Sequence, residues 1–284
     1  MKPAPFEYSK VRSVADAILQ LQQADGEAKV IAGGQSLGAM MNLRMASPQM
    51  LIDINGIDEL KHIGIGDDLL RVGAMVRHVD VAESPHVDEH FKLLRYAYTF
   101  VAHASVRNRG TLGGNICHAD PASELPAVLQ ALDAKMKILG RGGERVVPAN
   151  EFFTGIFETA VQPDELLVEI QIPLAAGAKN WGFCEASIRL GDFAYLAVAV
   201  TCDLSGGMAR NVRAAYAGLA DPSMRSAEVE ALLEGQELTD ELCERAGTIA
   251  SQTLPVSGDL QVSEEHRKDL ARSLTVRALA MARS

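Results

Sequence analysis

Cysteines are few in this chain, and no two of them have the spacing of a metal-binding motif. The four residues are Cys117, Cys184, Cys202 and Cys243. Zinc and iron–sulfur sites rely on closely spaced pairs such as CxxC, so we predict that the chain holds no metal ion and no cluster of its own. We expect the four thiols to be free and structural.

Long apolar runs are also absent. The most apolar stretch, residues 193–202, has only the length of a strand, whereas a membrane-spanning helix needs about 20 apolar residues. Residues 1–10 have no apolar segment behind Lys2, so they lack the pattern of a secretion signal. We therefore expect a cytoplasmic protein that does not insert into a membrane.

Positive charge is in short supply. Lysine and arginine number 27 against 37 aspartates and glutamates, which gives a net charge of −10. Nucleic-acid binding depends on clustered cationic contacts to phosphate, so we expect no nucleic-acid partner. A chain of 284 residues with 48% hydrophobic and 23% charged residues indicates a folded protein of two packed units.

Apolar periodicity and turn residues divide the chain into two series of elements. The first series has predicted helices at 14–23, 91–101 and 123–131, and predicted strands at 29–32, 50–54, 135–139 and 166–172, with a hairpin at 63–72. After a small polar linker at 175–179, strands are predicted at 182–189, 194–202 and 212–219, and helices at 226–233, 239–251 and 263–283. Strands followed by helices indicate an α+β fold.

Two glycine-rich segments carry the most information about function. The first glycine segment, residues 32–37, has the sequence Ala-Gly-Gly-Gln-Ser-Leu and follows a predicted strand. Glycines adopt positive φ at little cost and let backbone N–H groups approach an anion, while the hydroxyl of Ser36 can add a hydrogen bond. This chemistry suits a phosphate, and a plain tight turn is the alternative for one such segment.

The second glycine segment, residues 109–115, repeats these ingredients as Arg-Gly-Thr-Leu-Gly-Gly-Asn. A pyrophosphate has two charged groups and is well served by two loops that converge from different parts of a domain, so we predict that the segments meet around a dinucleotide. Neither segment fits G-x-G-x-x-G or the P-loop, which disfavours a Rossmann fold and an NTPase.

Asp120 and Ser123 precede the helix predicted at 123–131. Either residue can cap that helix. A carboxylate at this place can equally accept hydrogen bonds from a ribose, a ribityl chain or an adenine amine. Both interpretations stay open, because one residue can serve both.

Taken together, these segments resemble the FAD-binding medium subunits of the molybdenum hydroxylases, the family of xanthine oxidase, carbon monoxide dehydrogenase and quinoline 2-oxidoreductase. The likeness runs nearly end to end. It is carried by Lys-Val-Ile-Ala-Gly-Gly-Gln-Ser-Leu at 29–37, Val-Arg-Asn-Arg-Gly-Thr-Leu-Gly-Gly-Asn at 106–115, His-Ala-Asp-Pro at 118–121 and Arg-Leu-Gly-Asp-Phe-Ala at 189–194.

The resemblance implies an FAD-binding domain of the vanillyl-alcohol-oxidase (PCMH) type at 1–175, with subdomains 1–57 and 58–175. It also implies a C-terminal α+β domain at 176–284, like that of the CO dehydrogenase flavoprotein. Phe193 and Tyr195 are candidates to pack near the isoalloxazine, with a plain core role as the alternative. The residues expected to contact a noncovalently bound FAD are Lys29, Ala32, Gly33, Gly34, Gln35, Ser36, Leu37, Thr111, Gly113, Gly114, Asn115 and Asp120.

The resemblance further implies an electron-transfer subunit with no catalytic residue of its own. A small partner subunit would hold two [2Fe–2S] clusters, a large one would hold molybdopterin and hydroxylate a small substrate, and the whole would be a dimer of heterotrimers. FAD would pass the electrons to an external acceptor. N-heteroaromatics are the favoured substrates, with aldehydes, purines and CO as alternatives.

Two other functions remain open at this point. A free-standing FAD oxidase or reductase of the same fold would need its own substrate pocket and proton-transfer residue. A non-catalytic nucleotide-binding module would use the two glycine segments only as turns. Rapid substrate oxidation by the chain alone would indicate the free-standing enzyme, and a colourless protein without a flavin spectrum would indicate the non-catalytic module.

Overall fold

The structure is a computed structural model, and it describes residues 2–284. Its first unit is a three-stranded parallel sheet of order β1-β3-β2. Helix α1 begins where predicted, because the hydroxyl of Ser13 accepts the N–H of Asp16 at 3.1 Å. The elements are β1 (Glu7–Lys10), α1 (Val14–Gln23), β2 (Ala28–Ile31), α2 (Leu37–Asn42) and β3 (Met50–Asp53), followed by a 3₁₀ turn at Asp58–Leu60.

The second unit is a five-stranded antiparallel sheet covered by short helices. Its strands, in the order in which they pair, are β4 (Ile63–Gly66), β5 (Leu69–Gly73), β10 (Leu166–Pro173), β6 (Lys135–Gly140) and β7 (Gly143–Pro148). A small ribbon is formed by β8 (Phe153–Gly155) and β9 (Glu158–Thr159). The helices are α3 (His78–Ala82), α4 (Pro85–His90), α5 (Lys92–Ala97), α6 (Ala104–Arg107), α7 (Leu112–His118), α8 (Glu124–Ala131), α9 (Ala149–Phe152) and α10 (Leu174–Gly177).

The third unit is a four-stranded antiparallel sheet with helices on one face, as the α+β prediction requires. The strands pair in sequence order. They are β11 (Asn180–Ala186), β12 (Leu196–Ser205), β13 (Met208–Ala217) and β14 (Met224–Arg225), and the helices are α11 (Ala227–Leu233), α12 (Asp240–Thr253) and α13 (Glu264–Arg283). Each of these three helices begins at a Ser or Thr whose side chain accepts a backbone N–H.

Several sequence predictions for this fold were wrong. The helix predicted at 91–101 ends at Ala97. The linker predicted at 175–179 is largely the short helix α10, and it packs tightly, because a Cβ on Gly177 would lie 2.0 Å from the carbonyl oxygen of His90. Strands β1 and β7 went unrecognised, since both are mostly exposed and lack the alternation that marks a half-buried strand.

The C-terminal sheet is buried on both faces, which joins the third unit to the second. On β12, Val198 and Val200 pack toward the C-terminal helices, while Ala197 and Ala199 belong to the core of the FAD-type unit. Alanine on this second face leaves room for α8, which contacts β12 and β13 and has every residue buried. The four cysteines are free, and no helix within residues 2–284 has the length and apolarity to cross a bilayer.

Helix α13 approaches strand β11 so closely that one position admits only glycine. A Cβ on Gly182 would lie 1.9 Å from the carbonyl oxygen of Ala278. We predict that Gly182→Ala lowers the free energy of unfolding by at least about 2 kcal/mol, because strand and helix must separate. Gly64 in β4 has open space around its Cα, so Gly64→Ala is the matched control. Urea unfolding that gives equal stabilities for the two variants would contradict this packing.

Candidate cofactor-binding cleft

A cleft of about 1160 Å³ lies where the three units meet. Its walls include both glycine segments and, from the third unit, Ile188, Gly191, Phe193 and Tyr195. Every residue predicted to contact FAD lines this cleft except Asp120. The structure therefore brings together segments that are about 75 residues apart in the chain, as the requirement for two converging loops predicted.

The two glycine segments touch each other through their backbones. A Cβ placed on Gly33 would lie 2.4 Å from the carbonyl oxygen of Arg109 and 2.7 Å from the Cα of Gly110. No side chain other than the hydrogen of glycine fits at residue 33 without moving the segments apart. The neighbouring Gly34 has a φ of +70°, which favours glycine for a second reason.

The first glycine segment presents unused hydrogen-bond donors to the cleft. Within residues 2–284, the N–H groups of Gly34, Gln35 and Ser36 have no acceptor, and the Ser36 hydroxyl caps nothing. The side-chain amide of Gln35 donates to the carbonyl of Gly33 at 3.1 Å and so stabilises the turn. Successive unsatisfied backbone donors beside a positive-φ glycine are suited to binding an anion.

The second glycine segment is built differently from what the sequence suggested. It is not a loop with positive-φ glycines: helix α7 starts at Leu112, and Gly113 and Gly114 lie in its first turn. Their N–H groups are already engaged. Leu112 donates to the carbonyl of Val76 at 3.0 Å, Gly113 to that of Ala74 at 3.1 Å, Gly114 to the hydroxyl of Thr111 at 3.1 Å and Asn115 to the carbonyl of Thr111 at 3.0 Å.

Gly113 and Gly114 allow close packing of helix α7 and leave no free N–H group for a ligand. A Cβ on Gly113 would lie 2.6 Å from the backbone oxygen of Ala74, and one on Gly114 would lie 2.7 Å from the Thr111 hydroxyl. The same Cβ on Gly114 would also lie 3.7 Å from the Cβ of Ala32 in the first segment. Helix α7 is thus pressed against both the sheet and the first segment, and it closes the wall of the cleft.

A half-buried arginine, which the sequence analysis did not identify, holds the two segments together. Arg77 donates to the side-chain oxygen of Asn55 at 2.7 Å and also to the backbone carbonyl of Arg109. Asn55 in turn donates to the carbonyl of Ala32 at 2.8 Å and to Asp53 at 2.7 Å. Arg77 and Asn55 thus connect the backbone carbonyls of Arg109 and Ala32, which are far apart in the chain. A local sequence pattern cannot indicate such a connection.

His78 packs against the second glycine segment. It is 4% exposed, and its backbone N–H donates to the carbonyl of Gly110 at 3.0 Å. A Cβ on Gly110 would lie 2.9 Å from the imidazole ring of His78. Burial, reinforced by the nearby charges of Arg107 and Arg77, lowers the pKa of His78 to about 4. The imidazole is therefore neutral at neutral pH and packs as an uncharged plate against Tyr98.

The remaining predicted residues fall at the edges of the cleft. The carboxylate of Asp120 accepts the N–H of Ala122 at 2.9 Å, which closes a turn before α8 without capping the helix, and its contact with FAD stays a prediction. The capping interpretation was wrong for both Asp120 and Ser123, because Ser123 stands at the N-cap of α8 but its side chain accepts no N–H of the helix. Asn115 exchanges hydrogen bonds with the Ser123 hydroxyl at 2.9 and 3.2 Å. Phe193 is 68% exposed at the cleft mouth, so the alternative of a core role for it was wrong.

Glutamate 124 is a further wall residue that the sequence did not single out. It opens α8, lines the cleft and is only 5% exposed. Glutamate is common in the first turn of a helix, where it is stabilised by the helix dipole, so its residue type alone does not indicate burial. Burial of this face by the C-terminal sheet is a tertiary effect that local pattern does not reveal.

The residues present fit an elongated, anionic ligand with an aromatic end. The unsatisfied amides and the Ser36 hydroxyl suit phosphate oxygens, and Ile188, Phe193 and Tyr195 offer apolar surface farther along the same cleft. The Gly33 contact keeps the backbone donors within reach of the ligand. A flavin dinucleotide has these three chemical parts in one molecule.

Comparison with known proteins agrees with this geometry. Residues 4–175 match the family model described as FAD binding domain in molybdopterin dehydrogenase, and residues 181–282 match that of the CO dehydrogenase flavoprotein C-terminal domain. The chain is 37% identical to caffeine dehydrogenase subunit beta from Pseudomonas sp. strain CBB1, with 99% of this chain and 96% of that protein covered.

Solved structures give the same result. A chain of carbon monoxide dehydrogenase from Hydrogenophaga pseudoflava superposes with a TM-score of 0.96 at 36% identity, covering 99% of this chain and 98% of that one. A chain of quinoline 2-oxidoreductase from Pseudomonas putida 86 superposes with a TM-score of 0.94 at 32% identity, covering 100% and 98%. The resemblance inferred from the two glycine segments and its implied α+β fold are confirmed. The chain belongs to the family of FAD-binding medium subunits of the molybdenum hydroxylases.

Proposed function

We propose that this chain binds one FAD noncovalently in the cleft and relays electrons from the iron–sulfur clusters of a partner subunit to an external acceptor. The observation that carries the proposal is the backbone contact of the two glycine segments beside unsatisfied N–H groups. Bound FAD supplies the redox chemistry, since a flavin accepts electrons one at a time and releases them in pairs. The chain binds, orients and tunes it.

The two glycine segments have different tasks in this proposal. The amides of Gly34, Gln35 and Ser36, with the Ser36 hydroxyl, hold the pyrophosphate by charge-assisted hydrogen bonds. The second segment, Thr111 to Asn115, provides a close wall with few free donors. Lys29 lies beside the cofactor, and Asp120 reaches its ribityl or adenosine part.

The complex around the chain follows from its family. Its partners are a small subunit with two [2Fe–2S] clusters and a large subunit with molybdopterin, arranged as a dimer of heterotrimers. Ile188, Leu190 and Phe193 are 62%, 64% and 68% exposed around the mouth of the cleft. Such an apolar rim suits a protein contact, and it would put a partner's cluster next to the cofactor.

Substrate, location and domain limits are also part of the proposal. The relatives named for caffeine and quinoline dehydrogenation support an N-heteroaromatic substrate on the large subunit, with CO, aldehydes and purines as competitors. We place the complex in the cytoplasm. The FAD-binding domain spans 1–175, with subdomains 1–57 and 58–175, and the C-terminal domain spans 176–284, close to the limits of the two family matches.

The backbone contact at residue 33 gives a direct test of the binding site. We predict that Gly33→Ala weakens FAD binding by about 2–4 kcal/mol, roughly 30- to 700-fold, because displaced segments lose one or two charge-assisted hydrogen bonds. Gly38, in the adjacent helix α2, has open space at its Cα, so Gly38→Ala should bind FAD as the wild type does. Fluorescence titration of apoprotein with FAD measures both. Equal affinities in two folded variants would place the pyrophosphate elsewhere.

The relay itself is tested in the assembled complex. We predict that a complex carrying the flavin-free Gly33→Val/Gly114→Val subunit still lets substrate bleach the iron–sulfur absorbance, while turnover with the external acceptor disappears. A complex with Gly38→Ala is the control and should keep both. Stopped-flow spectroscopy follows the two processes separately. Normal acceptor turnover without FAD would show that electrons leave by another route, and the chain would then be structural.

A further inference from the structure

Glu124 is an anomaly among the buried acidic groups. It is 5% exposed and lines the cleft, and within residues 2–284 its carboxyl group forms no ion pair and no hydrogen bond with another side chain; the donor that acts on it is its own backbone N–H. Glu169, which is 7% exposed, shows the usual arrangement, with His62 at 2.9 Å, Arg71 at 3.2 Å and Gln171 at 2.7 Å around its carboxylate. A carboxyl group left without a side-chain partner beside a ligand cleft points toward the ligand for its function.

A second acidic group acts electrostatically on the first. Glu185, on β11, has both carboxylate oxygens buried, and neither has a hydrogen-bond partner among the described residues. The negative charge of Glu185 acts on Glu124 across the junction of α8 with the C-terminal sheet. Two buried carboxylates without cations cannot both stay ionised at low cost, so the pair retains a proton.

The electrostatics of the pair are set by burial. Burial first, then repulsion by Glu185 and by Asp120, raises the pKa of Glu124 to about 8, and burial raises the pKa of Glu185 to about 7. His118, at the end of α7, is the titratable group beside Asp120, and burial lowers its pKa. At neutral pH Glu124 therefore carries a proton in a wall of the cleft.

We propose that Glu124 holds the proton that bound FAD takes up when it is reduced, and that Glu185 is the second proton-binding group of the pair. This inference rests on the proposed function. Electrons that arrive from iron–sulfur clusters bring no protons, so two of them add two negative charges to the cofactor. The Glu124 O–H bond breaks, its proton neutralises one of these charges, and Glu124 becomes a carboxylate.

Reoxidation of the cofactor returns the protons and electrons to their starting state. When the two electrons leave for the external acceptor, the proton returns to Glu124, or it leaves with the electrons and water reprotonates the carboxylate. The other acidic residues of the cleft wall, Glu158, Glu165 and Asp192, are more exposed than Glu124. Among the acidic residues within 2–284, only Glu124 combines burial with a place in the wall.

Infrared difference spectroscopy tests this proton transfer without using turnover. Photoreduction of the FAD-loaded chain at pH 7 should remove the carbonyl band of a protonated carboxyl group and create carboxylate bands. Glu124→Gln should abolish this change, while Glu151→Gln, an exposed site outside the cleft, should keep it. A carboxyl band that persists in Glu124→Gln, or none in yellow wild-type protein, would overturn the inference. Wild-type protein that binds no FAD would contradict the proposed function instead.

Thermal unfolding of the apoprotein gives a second arm that needs no cofactor. Because the folded state raises the pKa of Glu124 from 4.5 to about 8, it binds more protons than the unfolded chain between these values, and stability falls as pH rises through that window. Glu124→Gln should melt close to the wild type at pH 5 and above it at pH 8. Parallel melting curves at the two pH values would show that Glu124 is an ordinary ionised carboxylate and would refute its role.

Discussion

The contact of Gly33 with the backbone of Arg109 and Gly110 is the constraint on which this structure depends. It brings the loop that follows β2 within atomic contact of the loop that precedes helix α7 in the second unit. Such an approach leaves no space for a Cβ, and Arg77 keeps the segments joined through Asn55 and the Arg109 carbonyl. The cleft lies where these two segments meet, and the N–H groups of residues 34–36, beside the positive-φ Gly34, have no acceptor within residues 2–284.

The C-terminal unit contributes to the same cleft through a different device. Alanines on one face of β12 and β13 let the sheet lie directly on α8, so this face of the third unit packs against the second unit. This packing delivers Phe193 and Tyr195 to the cleft and buries Glu124 at its edge. Binding of the dinucleotide and storage of a proton thus depend on two interfaces, the contact of the first unit with the second and the packing of the third unit on α8.

Local chemistry made much of the fold predictable. Helix α1 has the predicted bounds because Ser13 caps it, and the hairpin turn falls at Asp67 and Asp68, both with positive φ. The convergence of two glycine segments followed from the needs of a pyrophosphate. What the sequence could not show was tertiary: glycine pairs look alike whether they shape a free turn or the first turn of a packed helix. The burial of Glu124 likewise comes from the C-terminal sheet that packs on α8, which no local pattern shows.

We propose that the two segments meet around the pyrophosphate: the first segment donates hydrogen bonds to it, and the second provides close contact. Hydrogen exchange of the apoprotein and the FAD-loaded protein, followed at single amides, tests this directly. We expect FAD binding to protect the amides of Gly34, Gln35 and Ser36 strongly from exchange. We expect little change at residues 112–115, whose amides already have acceptors. Protection confined to residues 112–115, with the first segment unchanged, would contradict it.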